Sequence, residues 1–220
     1  MTIIPVSDID SADVLSVVYK HLKNDGLIIY PTDTLYGIGC DFYSNSARDK
    51  IDKFKGRSAT PYSVIVSGRK MIRDLTDQSL SLFELFTNYH SSEKMTFLFK
   101  LNKKINNEVV KGSDLIGIRL PGKSLLRKMV ELLGFPIVST SVNIWGTPPV
   151  NHSERIVQMI RSSQFSSEII FIDAGDLPES KGSTILDISG NKPVIVREGD
   201  DPEPVKNFIR DYQKKILNDL

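Results

Sequence analysis

Apolar positions along this chain switch repeatedly between two periods. Val14, Val17/Val18 and Leu22 recur at helical spacing, with Gly26 as the stop. The block LIIYP (27–31) that follows is short, apolar and bounded by turn formers, which predicts a buried strand. Ala47, Ile51 and Phe54 return to the helical period, opened by Ser44 or Asn45 as N-cap. Strands are then predicted over YSVIVS (62–67), TFLFKL (96–101), LIGIRLP (115–121), PIVST (136–140), IIFID (169–173), STILDI (183–188) and PVIVRE (193–198). Helices are predicted at Met71–Leu75 and Leu80–Phe86, from Ser124 to Leu133 with Gly134 ending it, and from Ser153 to Arg161. A final helix has Pro204 in its first turn and sets Val205, Phe208/Ile209, Tyr212 and Ile216 on one face. Strands and helices mixed this regularly predict an α/β fold, a twisted, open, mixed sheet with flanking helices. Residues 1–200 read as one domain, and 201–220 as an amphipathic helix packed on it.

Composition leaves that picture intact and removes whole classes of function. With 40% hydrophobic and 25% charged residues, a chain of 220 can fill a core, so disorder is not expected. No apolar run approaches the ~18 residues of a membrane span, and MTIIPVSDID lacks the basic and apolar regions of a secretory signal. A cytoplasmic protein without membrane contact is expected. One cysteine, Cys40, excludes an internal disulfide and a multi-cysteine zinc site. His21, His90 and His152 lack metal-ligand spacing, so no metal ligand is assigned. Net charge is +1, yet residues 45–73 carry Arg48, Lys50, Lys53, Lys55, Arg57, Arg69, Lys70 and Arg73 against Asp49 and Asp52. That local excess fits either a solvated helix face or a surface for polyphosphate or RNA.

One segment matches a phosphate loop by pattern. GIRLPGKS, Gly117 to Ser124, satisfies G-x-x-x-x-G-K-[ST], and IIFID could supply a metal-binding Asp173. The match fails on chemistry. Ile116, Ile118 and Leu120 alternate as strand residues do, and a phosphate loop would turn Ile118 and Leu120 towards water. It would also put Pro121, which has no N–H, among the backbone donors for the anion.

Three other segments place polar groups at predicted strand ends, where open α/β sheets gather ligands. YPTDTLYG (30–37) follows a buried strand, although its Thr and Asp also suit a simple turn. STSVN (139–143) ends another, GSTILD opens a strand with Ser183 and Thr184, and VIVREG ends one with Arg197. Together they offer hydroxyls, an amide and the cations Lys55, Arg57, Arg119 and Arg197, with no Ser-His pair and no nucleophilic Cys. Such a set suits binding an amino acid beside a polyphosphate, where catalysis is positioning and charge neutralisation.

The ordered string PTDTLYG, KGR, IGIRLP, PIVSTSVN, GSTILD and VIVREG, spanning residues 27–199, resembles the YrdC-domain family of threonylcarbamoyl-AMP synthases. The resemblance implies a sheet around a positively charged concavity, in a short form without the extra C-terminal domain of longer relatives. It implies formation of threonylcarbamoyl-AMP and pyrophosphate from L-threonine, bicarbonate and ATP, with Mg²⁺ accompanying the ATP and no prosthetic group. The product would serve a separate threonylcarbamoyl-transferase complex that modifies tRNA next to the anticodon, and tRNA itself is a candidate contact. By the same resemblance, Thr34, Arg119 and Ser183 would bind threonine, while Lys55, Arg57, Ser141, Asn143 and Arg197 would bind ATP. Lys55 and Arg57 would act by charge stabilisation, and no residue would act as a nucleophile.

The sequence also departs from that pattern. Glu93-Lys94-Met95 stands where many relatives carry Pro-Gly-Pro, and Ile65 stands where some place a threonine-contacting His. Trp145 reads equally as a packing residue or as a lid over adenine. An RNA-binding module without catalysis is the rival that the basic run supports. Carbamoyl transfer in hydrogenase maturation is excluded, because it demands zinc motifs that one cysteine cannot supply.

Overall fold

The computed structural model describes residues 1–56, 61–77, 94–122, 124–190, 192–201 and 203–218. Their ten strands form one mixed sheet: β1 (Thr2–Pro5), β2 (Leu27–Pro31), β3 (Tyr36–Asp41), β4 (Ser63–Ile65), β5 (Met95–Lys100), β6 (Leu115–Arg119), β7 (Ile137–Ser141), β8 (Ile169–Asp173), β9 (Thr184–Asp187) and β10 (Val194–Arg197). Their order is β1-β8-β2-β3-β7-β4-β6-β5-β9-β10. The α-helices are α1 (Ala12–Lys23), α2 (Asn45–Lys55), α3 (Arg69–Leu75), α4 (Leu125–Leu133), α5 (Ser153–Ser162) and α6 (Glu203–Asn218). The helix expected at Leu80–Phe86 lies outside the described residues, as do Arg57, Glu93 and Lys123.

Alternate residues of a strand point to opposite faces, so the sheet sorts its own side chains. On one face Leu27, Ile29, Ile38, Val138, Ile118 and Phe97 join a large core. Helix α2 covers it with Ala47, Ile51 and Phe54, α5 with Ile156 and Ile160, and α6 with Val205, Phe208 and Tyr212. On the other face Ile28, Tyr30, Ile65 and Ile137 form a second cluster under Val18 and Leu22 of α1 and Leu126, Met129 and Val130 of α4. This second cover is short, and beyond it the same face carries polar side chains that line a cavity.

Local chemistry sets the helix ends. Ser44 caps α2, its Oγ accepting from Ala47 N at 3.0 Å, and Gly56 closes the helix at φ 68°. Ser44→Ala should therefore cost about 1 kcal/mol and lower the Tm by roughly 2–4 °C. An unchanged Tm in thermal unfolding would show that the cap carries no weight.

The phosphate-loop alternative ends here. Gly117, Ile118 and Arg119 pair with Ser63, Val64 and Ile65 of β4, and Gly117 and Ile118 also pair with Leu98 and Phe97 of β5. Ile118 and Leu120 are buried. A segment hydrogen-bonded on both sides within a sheet has no backbone N–H groups left to wrap a phosphate.

Candidate active site

Where the α1–α4 cover stops, its face of the sheet becomes the floor of a cavity of about 280 Å³. The register explains which residues meet there. Tyr30 is opposite Gly37, Gly37 opposite Ser141, and Ser139 opposite Ser63, all on one face. The Tyr30 ring lies across Gly37, where a Cβ would come within 3.2 Å of it and 3.3 Å of Ser139 Oγ. Glycine at 37 thus lets the aromatic wall of the covered half run up to the open half. Larger depressions of about 590 and 660 Å³ lie along α2 and α5 and beside β5. Neither sets two guanidinium groups among hydroxyls, so the smaller cavity is the chemical centre.

The turn after β2 supplies one wall. Thr32 Oγ1 accepts from Thr34 N at 3.2 Å and Leu35 N at 3.1 Å, closing the turn as a local side-chain bond does. Thr34 is left facing the cavity, 5% exposed. Arg119, at the end of β6, directs Nη2 to Thr34 Oγ1 at 3.3 Å and to the carboxylate of Asp33. The opposite wall comes from β5, β9 and β10. There Thr96 Oγ1 and Ser183 Oγ are 2.8 Å apart, and Arg197 Nη2 donates to Ser183 O at 2.7 Å and Ser183 Oγ at 3.2 Å.

Burial lowers the Arg119 pKa to about 10, with the neighbouring Arg197 cation pushing the same way. Arg197 is lowered by burial as well. Both remain cations at neutral pH. Among the described residues the lining holds no carboxylate, Asp33 meeting Arg119 from beside it, and Lys181 adds a third basic residue. Two close cations in a partly desolvated recess favour an anionic ligand. Among the described residues, no three His, Cys, Asp or Glu side chains cluster as a metal site would need.

The residues assigned by resemblance divide into two groups. Thr34, Arg119, Ser141, Ser183 and Arg197 line the cavity together. Lys55 and Asn143 do not. The buried Lys55 ammonium donates to Ser141 O and to Asn143 Oδ1, which also accepts from Ser141 Oγ at 2.9 Å. Asn143 Nδ2 reaches on to Thr147 O at 2.7 Å. Lys55 and Asn143 therefore shape the segment behind Ser141. Arg57 lies outside the described residues.

Ile65 is fully buried under the α1–α4 cover, so this position offers no polar contact. Trp145 is 57% exposed, and its backbone N–H donates to Lys55 O at 2.7 Å. Lys94 O accepts from Thr184 N at 2.8 Å, tying the loop before β5 to β9. Part of the basic run is held inside the protein, where Arg48 binds Phe42 O, Lys50 pairs with Glu168 and Lys55 is held as described, while Lys53, Arg69, Lys70 and Arg73 are exposed. Sequence reasoning passed over Ser63, Thr96 and Lys181 as cavity residues, and Asp33 as a partner of Arg119. The polar positions in the apolar alternation of β4 and β5 were the available signal.

Comparison with known proteins gives a consistent result. The model of the Sua5/YciO/YrdC family, described as "Telomere recombination", matches residues 20–199. A Pyrococcus abyssi threonylcarbamoyl-AMP synthase is 24% identical over 191 residues, covering 86% of this chain and 55% of its own length. The chain thus spans about half of that relative. The uncharacterized Escherichia coli protein YciO is 27% identical, with 81% of this chain and 85% of YciO covered. A Methanocaldococcus jannaschii protein, provisionally named a threonylcarbamoyl-AMP synthase, is 30% identical and covers 84% of this chain and 86% of its own length. Among solved structures, P. abyssi Sua5 complexed with L-threonine superposes with a TM-score of 0.78 at 22% identity, covering 89% of this chain and 57% of that one.

Proposed function

Because the chain belongs to the Sua5/YciO/YrdC family, we propose that it is a threonylcarbamoyl-AMP synthase using L-threonine, bicarbonate and ATP. The observation that carries this reading is the pairing of Arg119 and Arg197 across one hydroxyl-rimmed cavity. A guanidinium matches a carboxylate, and the Thr34 and Ser183 hydroxyls match a hydroxyl-bearing amino acid. At about 280 Å³ the cavity is just under the ~300 Å³ where pockets for drug-sized ligands begin, so it suits the amino acid alone. The nucleotide then extends outward past Ser141 towards Asn143. Lys55 acts on that side through the segment it holds, and Arg197 stands between the two halves.

The chemistry needs no protein nucleophile. The threonine amine and bicarbonate form a carbamate with loss of water. A carbamate oxygen then bonds to the α-phosphorus while the bond from that phosphorus to the pyrophosphate oxygen breaks. Fixed cations stabilise the charge on the departing pyrophosphate, and Mg²⁺ arrives with the ATP as part of that substrate. The product is a reactive anhydride, suited to consumption by a separate transferase acting on tRNA.

Incubation with ATP, ¹⁴C-bicarbonate and single amino acids tests the proposal. A labelled adenylate should form with L-threonine at least ~tenfold faster than with valine, since valine leaves the buried hydroxyls unpaired. Equal turnover of the two would refute it. Lys123→Ala should change the rate by less than about tenfold, because the strand before it pairs within the sheet and forms no phosphate loop. Loss of ATP use in that variant would restore the phosphate-loop reading.

A further inference from the structure

The guanidinium that faces the cavity is already held by a carboxylate of the same chain. Arg119 Nη2, the nitrogen 3.3 Å from the cavity-lining Thr34 Oγ1, also meets the Asp33 carboxylate. Asp33 is next to Thr34, at the apex of the turn that Thr32 closes. Its side chain is 20% exposed, against 10% for Arg119, so it reaches a sheltered cation from the solvent side. A buried cation is costly without a counter-charge, and this contact supplies one in the free protein.

We infer that Asp33 is a built-in competitor for the substrate carboxylate: it occupies Arg119 until the ligand displaces it towards solvent. The inference rests on the reading of Arg119 as the carboxylate-binding group. An incoming carboxylate and Asp33 both seek the same nitrogen, and like charges beside one cation repel. The free protein therefore trades affinity for a stable empty site. The hydroxyl contacts of a ligand such as threonine have to make good the ion pair that it breaks. A bare carboxylate, without those contacts, displaces Asp33 poorly.

Calorimetric titration of L-threonine, and separately of acetate, into the wild type, Asp33→Asn and Asp33→Glu decides the matter. If the pair is closed about nine-tenths of the time, Asp33→Asn should lower the threonine Kd about tenfold, because the open fraction scales the apparent affinity. Its free form should melt at a lower temperature than the wild type, and threonine should raise that temperature by more. Asp33→Glu keeps the competing charge and should stay close to the wild type. Asp33→Ser repeats the neutral test should the Asn form fold poorly. Weaker or unchanged threonine binding in both neutral variants would overturn the inference, by making Asp33 part of the binding set or irrelevant to it. The acetate arm separates this from the functional proposal: tighter acetate binding in Asp33→Asn sustains the competitor even if threonine proves not to be the substrate.

Discussion

Replacing Arg119 with alanine is expected to raise the Kd for L-threonine by roughly 1.5–3 kcal/mol, about tenfold to more than a hundredfold. A charged hydrogen bond to the substrate carboxylate is lost, and the recess keeps Arg197 as its remaining guanidinium. ATP binding should change little if, as proposed, the nucleotide takes the Ser141 side. Separate titrations of threonine and ATP into the folded variant check this. If threonine affinity survives within threefold, the carboxylate is bound elsewhere and the orientation of the whole site is wrong.

An even larger effect is expected from one methyl group at Gly199. A Cβ there would lie 2.4 Å from Gly182 O, 2.5 Å from Thr184 N and 2.6 Å from the carbonyl carbon of Ser183. These are backbone atoms, which cannot swing aside as a side-chain tip can. Gly199 N also donates to Thr184 Oγ1 at 3.0 Å, locking the two segments together. Gly199→Ala must therefore push apart the strand ends that carry Ser183 and Arg197, at a cost of about 3 kcal/mol or more. Denaturant unfolding should show that loss, and the threonine affinity of the folded fraction should fall with it. Wild-type stability in this variant would mean that the close approach is not a feature of the folded protein.

Much of this architecture is visible in the sequence because its strands are short apolar blocks and its helices keep a clear 3.6-residue period. LIIYP, IIFID and LIGIRLP appear as β2, β8 and β6 within one or two residues of expectation. Two strands escaped. β3 reads YGIGCD, and two glycines in six residues look like a turn until Gly37 is seen to make room for the Tyr30 ring. β1 is four residues ending in proline at the sheet edge, too short for a period to show.

The site was legible where polar residues crowd at strand ends, as at Thr34, Ser141 and Ser183. It was not legible where the sheet register decides. Ser63 and Ser139 meet only because β4 pairs with β7, which follows from no local pattern. Lys55 illustrates another limit. Its charge suggested a ligand contact, and only the packed structure shows that its buried ammonium also meets Ser141 O and Asn143. Residue type shows what a side chain can bind, and only packing shows what it has already bound.

The strand order also fixes when the site comes into being. The cavity draws on Thr34 near the start of the chain, Arg119 in the middle and Arg197 near residue 200, and β1 pairs with β8 more than 160 residues away. Pairings of such wide separation form slowly, since the loop entropy is lost before the contact rewards it. During synthesis, a nascent chain still lacking its last strand has neither Ser183 hydrogen-bonded to Arg197 nor an enclosed recess. Ligand capture therefore reports that the last strand has joined the sheet, and a fragment that ends before Arg197 lacks one wall of the site.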